Sequence, residues 1–195
     1  MDSRQSDENL MLAYSKGDFR AFEIIYKRYR GALYRYLLRQ CGNADDAQEL
    51  FQDIWTNLIR AREHYEVRAK FTTYLFRLAH NRVVDHYRKQ SHNPTTIAGL
   101  SNPESVDDNV ELENLPDMDC VQVENRLHLK RFTSRLLELV HELPQAQREA
   151  FLLREEAGFS VDEIADITGV NPETAKSRLR YAVAKLRQGL QGFGE

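Results

Sequence analysis

Residues 160–187, SVDEIADITGVNPETAKSRLRYAVAKLR, hold the densest set of side chains able to do chemistry. Ser160 and Glu163 have the S-x-x-E spacing of a capping box and predict the start of a short helix. Gly169 supplies a turn, and Asn171 with Pro172 opens a second helix. Ala165 is small enough to let the two helices approach. Ala175 and Leu179 give the second helix an apolar back, and its other faces carry Lys176, Ser177, Arg178, Arg180, Lys185 and Arg187. The chemistry is nucleic-acid recognition by a helix-turn-helix. Arginines reach guanine edges in the major groove, while lysines and the helix N-terminus hold phosphates. The competing reading is a helical hairpin with a solvated basic face, which does not account for the combined order of cap, turn and charge.

A second segment, residues 70–90 (KFTTYLFRLAHNRVVDHYRKQ), mixes aromatics with cations. Leu75, Leu78 and Ala79 are expected to face a core. Tyr74, Phe76, His80, Asn81, Arg82, Tyr87 and Arg88 are expected on other faces, where rings can stack on unpaired bases and cations can hold the backbone. Aromatics on a helix are more often core, so this segment alone decides little. A third segment, residues 45–55 (DDAQELFQDIW), places Glu49, Gln52, Asp53 and Thr56 on one helical face opposite Leu50, Ile54 and Leu58. By itself that is a solvated acidic face. His80, Asp85 and His86 lack the i, i+4 spacing of helical zinc pairs, and no metal or cofactor is expected. There is no glycine loop for phosphates, no nucleophile elbow and no HExxH, so nothing argues for an enzyme.

The elements that must position these residues are helices. Phe22, Ile25, Tyr26, Tyr29, Leu33 and Leu37 recur at helical spacing, Gly42 fits a C-cap, and Asn43 with Asp46 starts the next helix. Residues 62–70 form a polar break before a long helix running to about Lys89. Leu127, Leu136, Leu139, Val140 and Leu143 mark another helix that stops at Pro144, and a shorter one runs from about Gln145 to Glu155. No segment alternates with period two, so the fold class is all-α.

Between Ser91 and Asn125 there is no Lys or Arg, but there are Glu104, Asp107, Asp108, Glu111, Glu113, Asp117, Asp119 and Glu124. The net charge of −3 therefore hides local fields of opposite sign. The chain is expected to divide into a helical domain over residues 1–90, a flexible acidic linker over 91–119, able to fold over the basic faces in the free chain, and a second helical domain over 120–195. The absence of a long apolar run, a polar acidic N-terminus, and two distant cysteines, Cys41 and Cys120, fit a cytoplasmic protein without membrane insertion.

In this order around an acidic segment, the motifs resemble the extracytoplasmic-function subgroup of sigma factors. The family pattern Phe-x-x-Trp-Leu-x-x-Ile-Ala-x-Asn-x-x-x-Asp-x-x-Arg is matched by Phe71, Leu75, Ala79, Asn81, Asp85 and Arg88, with Leu78 for the isoleucine and Tyr74 for the tryptophan. Its Leu-Pro-x-x-x-Arg, Glu-Ile-Ala and Thr-Val-Lys-Ser-Arg correspond to Leu143, Pro144 and Arg148, to Glu163, Ile164 and Ala165, and to Thr174 through Arg178, with Ala175 for the valine. The resemblance covers about Gly17 to Leu190 and implies roles. Glu49, Gln52 and Asp53 would dock on the β′ clamp helices of core RNA polymerase. Lys70, Tyr74, Arg77, His80, Asn81, Arg82, Asp85 and Arg88 would hold and melt the −10 element of promoter DNA. Thr174, Lys176, Ser177, Arg178, Arg180 and Tyr181 would read the −35 element as duplex, and the same domain would touch the β flap. An anti-sigma factor would control the chain.

Two other classes remain open at this point. One is a transcriptional regulator with a C-terminal helix-turn-helix and an N-terminal sensor or dimerisation domain. The other is an interaction module whose basic helices meet an acidic partner. Residues 71–88 separate them, since a plain regulator does not need that segment.

Overall fold

Helices start and stop where side-chain caps satisfy their end groups. The computed structural model describes residues 5–92 and 121–191, with side chains described for 5–90 and 129–191. The acidic segment expected as a linker, and the masking expected of it, lie outside the described residues. The helices are α1 (Asp7–Ser15), α2 (Phe19–Cys41), α3 (Ala44–Ala61), α4 (Phe71–His92), α5 (Val121–Glu142), α6 (Gln145–Ala157), α7 (Val161–Thr168) and α8 (Pro172–Gly189), with a 3-10 turn at Arg62–His64. No strand occurs among the described residues, and the class is all-α.

The α2–α3 hairpin shows how local sequence sets the geometry. Gly42 ends α2 in the left-handed region at φ 77°, and its N–H donates to the Leu38 carbonyl at 2.9 Å. Asn43 then caps α3 by accepting from the Asp46 N–H at 2.8 Å. Gly42 is required twice over: a Cβ there would strain the backbone and collide with the His141 imidazole of α5. The stripes then close a core from Ile25, Leu33 and Leu37 on α2, Leu50, Ile54 and Leu58 on α3, and Phe71, Leu75, Ala79 and Val83 on α4.

Helix α1 is absent from the sequence reading, yet it positions α4. Ser6 caps it, and Leu10, Met11 and Tyr14 are buried. Glu8 on α1 accepts a hydrogen bond from the Phe71 backbone N–H at 2.8 Å, so one helix caps another. That bond holds the Glu8 carboxyl below its ordinary pKa of 4.5. Arg62 lies over the Tyr14 and Phe19 rings at 5.7 and 6.0 Å and ties the connection before α4 to the same surface.

In the second half, α7 opens with the full capping box: the Glu163 N–H donates to Ser160 Oγ, and the Ser160 N–H donates to Glu163 Oε2 at 2.9 Å. Gly169 turns at φ 66°, and Asn171 caps α8 with Pro172 in its first turn. Ala165, 3% exposed, lets α7 pack on α8, and Ala175, Ala182 and Leu186 form the buried back of α8.

The cap on α4 yields a signed prediction. A carboxyl whose pKa falls on folding adds stability above its unfolded value, and that stability is lost as pH drops below about 4.5. Glu8→Ala should cost about 1 kcal/mol at neutral pH, as for a lost helix cap. It should also flatten the acid limb of a thermal-stability profile below that pH. Unchanged melting together with an unchanged acid limb would contradict the cap.

Candidate nucleic-acid interface

Helix α4 separates its chemistry into two stripes. Tyr74, Arg77, Asn81 and Arg88 recur three, four and seven residues apart, and of these Arg77, Asn81 and Arg88 are exposed. Phe76, His80 and Tyr87 lie on another side and meet α2 or the second half of the chain. Phe76 is a difference from the sequence expectation: it is 1% exposed, packed edge-on against Tyr36 at 5.5 Å and against Phe159 at 5.2 Å. The reason is that α4 has a second apolar neighbour, and a ring facing it is buried from both sides.

Tyr74 is half-buried at the edge of the first stripe, against Tyr65 at 5.5 Å and Phe71 at 6.4 Å, and burial raises its phenol pKa. Lys70 reaches Glu163 Oε1 at 2.8 Å, and Arg77 donates to the Asp166 carbonyl at 2.8 Å, both on α7. His80 Nδ1 lies 2.6 Å from Glu149 Oε1 of α6. Arg82 is half-buried, and Asp85 pairs with Arg88 at 3.0 Å. The structure therefore brings Tyr74, Arg77, Asn81 and Arg88 to one outer stripe and directs His80 elsewhere.

On α8, Lys176, Arg180 and Tyr181 are exposed, while Thr174, Ser177 and Arg178 are half-buried. The Thr174 N–H is taken up by the Asn171 cap at 2.7 Å. The Arg180 guanidinium stands over the Tyr181 ring at 5.1 Å, a stacked pair that pre-orients the cation. On α3, Glu49, Gln52, Asp53 and Thr56 are all exposed, with Leu50, Ile54 and Leu58 buried opposite.

Sequence reasoning missed the polar pairings that join the two halves. Tyr36, fully buried on α2, donates to Glu149 Oε1 at 3.0 Å, and burial and that carboxylate push its phenol pKa well up. Arg148 is buried and donates to the His141 carbonyl and to Tyr87 Oη, both at 3.1 Å. Burial and this guanidinium lower the His141 pKa. Burial pushes the Cys41 thiol nearby up to about 12. Arg35 Nε meets Glu156 Oε2 at 2.9 Å, and Arg39 pairs with the same carboxylate. A readable signal existed: Glu149 and Glu156, seven residues apart, share one face of α6 with Leu152 and Leu153. Among the described residues there is no cluster able to hold a metal ion and no helix long and apolar enough to cross a membrane.

Family models match in two places: Sigma-70 region 2 over residues 25–93 and Sigma-70, region 4 over residues 133–186, together more than half of the chain. The ECF RNA polymerase sigma-E factor of Haemophilus influenzae is 26% identical over 195 residues, covering 98% of each chain. The ECF RNA polymerase sigma factor SigW of Bacillus subtilis is 25% identical over 176 residues, covering 90% of this chain and 92% of that one. Among solved structures, the sigma factor RpoE in complex with the anti-sigma factor NepR from Bartonella quintana superposes with a TM-score of 0.66 at 20% identity, over 88% of this chain and 97% of that one.

The exposed cations of α8 make a quantitative expectation. If Lys176 and Arg180 each neutralise a phosphate, the double substitution K176A/R180A should lower the slope of log affinity against log salt by about two for duplex DNA. A base-reading arginine would instead lose discrimination at one position with the slope kept. Titrations at several salt concentrations separate the two, and no change in either quantity would remove α8 from the interface.

Proposed function

This chain belongs to the sigma-70 family, in its extracytoplasmic-function subgroup, and is a transcription initiation factor rather than an enzyme; from that premise we propose that it binds core RNA polymerase and directs it to promoters by reading a −35 element as duplex and opening a −10 element. The observation that carries this reading is the pair of separate outward surfaces: the basic, exposed face of α8 and the aromatic–cationic stripe of α4. A plain helix-turn-helix regulator has no use for the second. Duplex reading needs a helix in a groove, and strand opening needs groups that capture bases once they leave the stack.

The division of sites follows. Glu49, Gln52 and Asp53 dock on the β′ clamp helices, supported by their exposure on the outer face of α3. Lys70, Tyr74, Arg77, Asn81, Arg82, Asp85 and Arg88 serve the −10 element. His80 joins them only when the two halves separate, because Glu149 holds it otherwise. Thr174, Lys176, Ser177, Arg178, Arg180 and Tyr181 serve the −35 element. An apolar groove of about 530 Å³ between α5, α6 and α8, lined by Phe132, Leu136, Phe151, Val183, Leu186 and Leu190, supports contact with the β flap. The domain division into 1–90, an acidic connection over 91–119, and 120–195 is part of this proposal, as are cytoplasmic action and control by an anti-sigma factor, which the Bartonella relative binds in its solved complex.

Size-exclusion chromatography with and without core polymerase tests the assignment: the chain should co-elute with core. Tyr74→Ala and Asn81→Ala should still co-elute and still form closed promoter complexes. Open-complex formation should slow by about tenfold, the scale of a lost base–aromatic stack. A template already melted over the −10 element should recover much of the loss. Permanganate footprinting reads the open strands. Normal opening in both variants, or loss of core binding in Tyr74→Ala, would remove the melting role from this helix.

A further inference from the structure

The two DNA-facing halves of the chain are joined through polar groups removed from water, and the joint has a definite composition. Glu149 is 4% exposed, and its Oε1 has two partners, Tyr36 on α2 and His80 on α4, both from the other half. The Glu156 side chain is 7% exposed and lies between Arg35 and Arg39 of α2. Phe76 against Phe159 supplies the apolar part. At the rim, Lys70 and Arg77 of the α4 stripe are occupied by Glu163 and the Asp166 carbonyl of α7. Two of the cations assigned to the −10 element are therefore spent on the duplex-reading domain.

This arrangement is incompatible with engaging both promoter elements. Their centres lie about 25 base pairs apart, or about 85 Å at a rise of about 3.4 Å per pair. A compact chain of this length has a radius of gyration of about 16 Å. With α4 in hydrogen-bond contact with α7, the two surfaces are neighbours and cannot lie one on each element.

We propose that the free chain is closed by its own clasp, in which Glu149 and Glu156 of α6 are held by Tyr36, His80, Arg35 and Arg39, and that core polymerase binds the opened form. The inference rests on the sigma-factor reading for its consequence, but the clasp itself is a property of the free chain. Core must select the open population, so the closed fraction weakens the apparent affinity in proportion. Lys70 and Arg77 then become available to nucleic acid only on opening.

A charge swap tests the clasp. The double variant R35E/R39E sets three carboxylates together at the joint, and E156R sets three cations there; each should open the chain. Combining all three substitutions restores opposite charges and should close it again. Small-angle scattering of the free full-length chain should give a radius of gyration several ångströms larger for R35E/R39E and for E156R than for the wild type and the triple variant. Circular dichroism checks that helix content is retained. The opened variants should bind core about fivefold or more tightly, and the triple variant should return to the wild-type value. An already extended wild type, or opened variants that keep the wild-type radius, would overturn the clasp. So would a triple variant that stays open. Core binding by the wild type reads the underlying function separately: a chain that closes and opens as described without ever binding core would keep the clasp and overturn the sigma-factor reading.

Discussion

A carboxylate taken out of water must be met by donors, and Glu149 Oε1 is met by Tyr36 and His80, both from the other half of the chain. An unpaired charge at this depth would cost several kcal/mol, far more than a surface ion pair returns. The pairing therefore does less to add stability than to fix which surfaces may touch. Tyr36 can donate only if α2 lies against α6, and His80 only if α4 does. The register of the two halves follows from two hydrogen bonds on one oxygen. The aromatic contact of Phe76 with Phe159 is the less selective companion, since apolar surfaces tolerate sliding and buried hydrogen bonds do not.

The same constraint explains why the two stripes of α4 differ so much in exposure. The helix must serve two environments: one side completes a buried joint, and the other remains open to solvent. Residues with similar chemistry, such as His80 and Asn81, are adjacent in sequence yet about 100° apart around the axis, so one is drawn inward and the other stays outside. The α3 face carrying Glu49, Gln52 and Asp53 is held to α2 by the Gly42–Asn43 connection, in which both end groups are capped. Whatever meets that face meets a surface fixed to the helix that forms the joint.

Much of this was legible in the sequence, for reasons that can be named. The helix-turn-helix was readable because its caps and turn are local: Ser160 with Glu163, Gly169, and Asn171 with Pro172 each act within four residues. The α3 face was readable because its pattern is strictly periodic. Helix α1 was not, because a nine-residue helix in a polar terminus shows only Leu10, Met11 and Tyr14 as its apolar face. Phe76 and His80 were placed on outer faces because periodicity reports only the nearest core. Their second neighbours, Glu149 on α6 for His80 and Phe159 just after α6 for Phe76, lie about 70 and 80 residues downstream. Pairings over that distance, such as Tyr36 with Glu149, leave only the faint trace of acidic residues among leucines.

Glu163 has two employments that matter differently to natural variation. One of its oxygens accepts from Ser160 to start α7, and the other faces Lys70. The first holds whatever happens at the joint, so a glutamate is kept at that position by the helix alone. The partner at position 70 is an exposed residue at the edge of a connection, with no packing duty of its own. A lineage can therefore strengthen, weaken or discard this contact by changing one surface side chain, leaving α8 untouched. The strength with which α4 is tied to α7 can therefore drift while the start of α7 and the whole of α8 stay as they are.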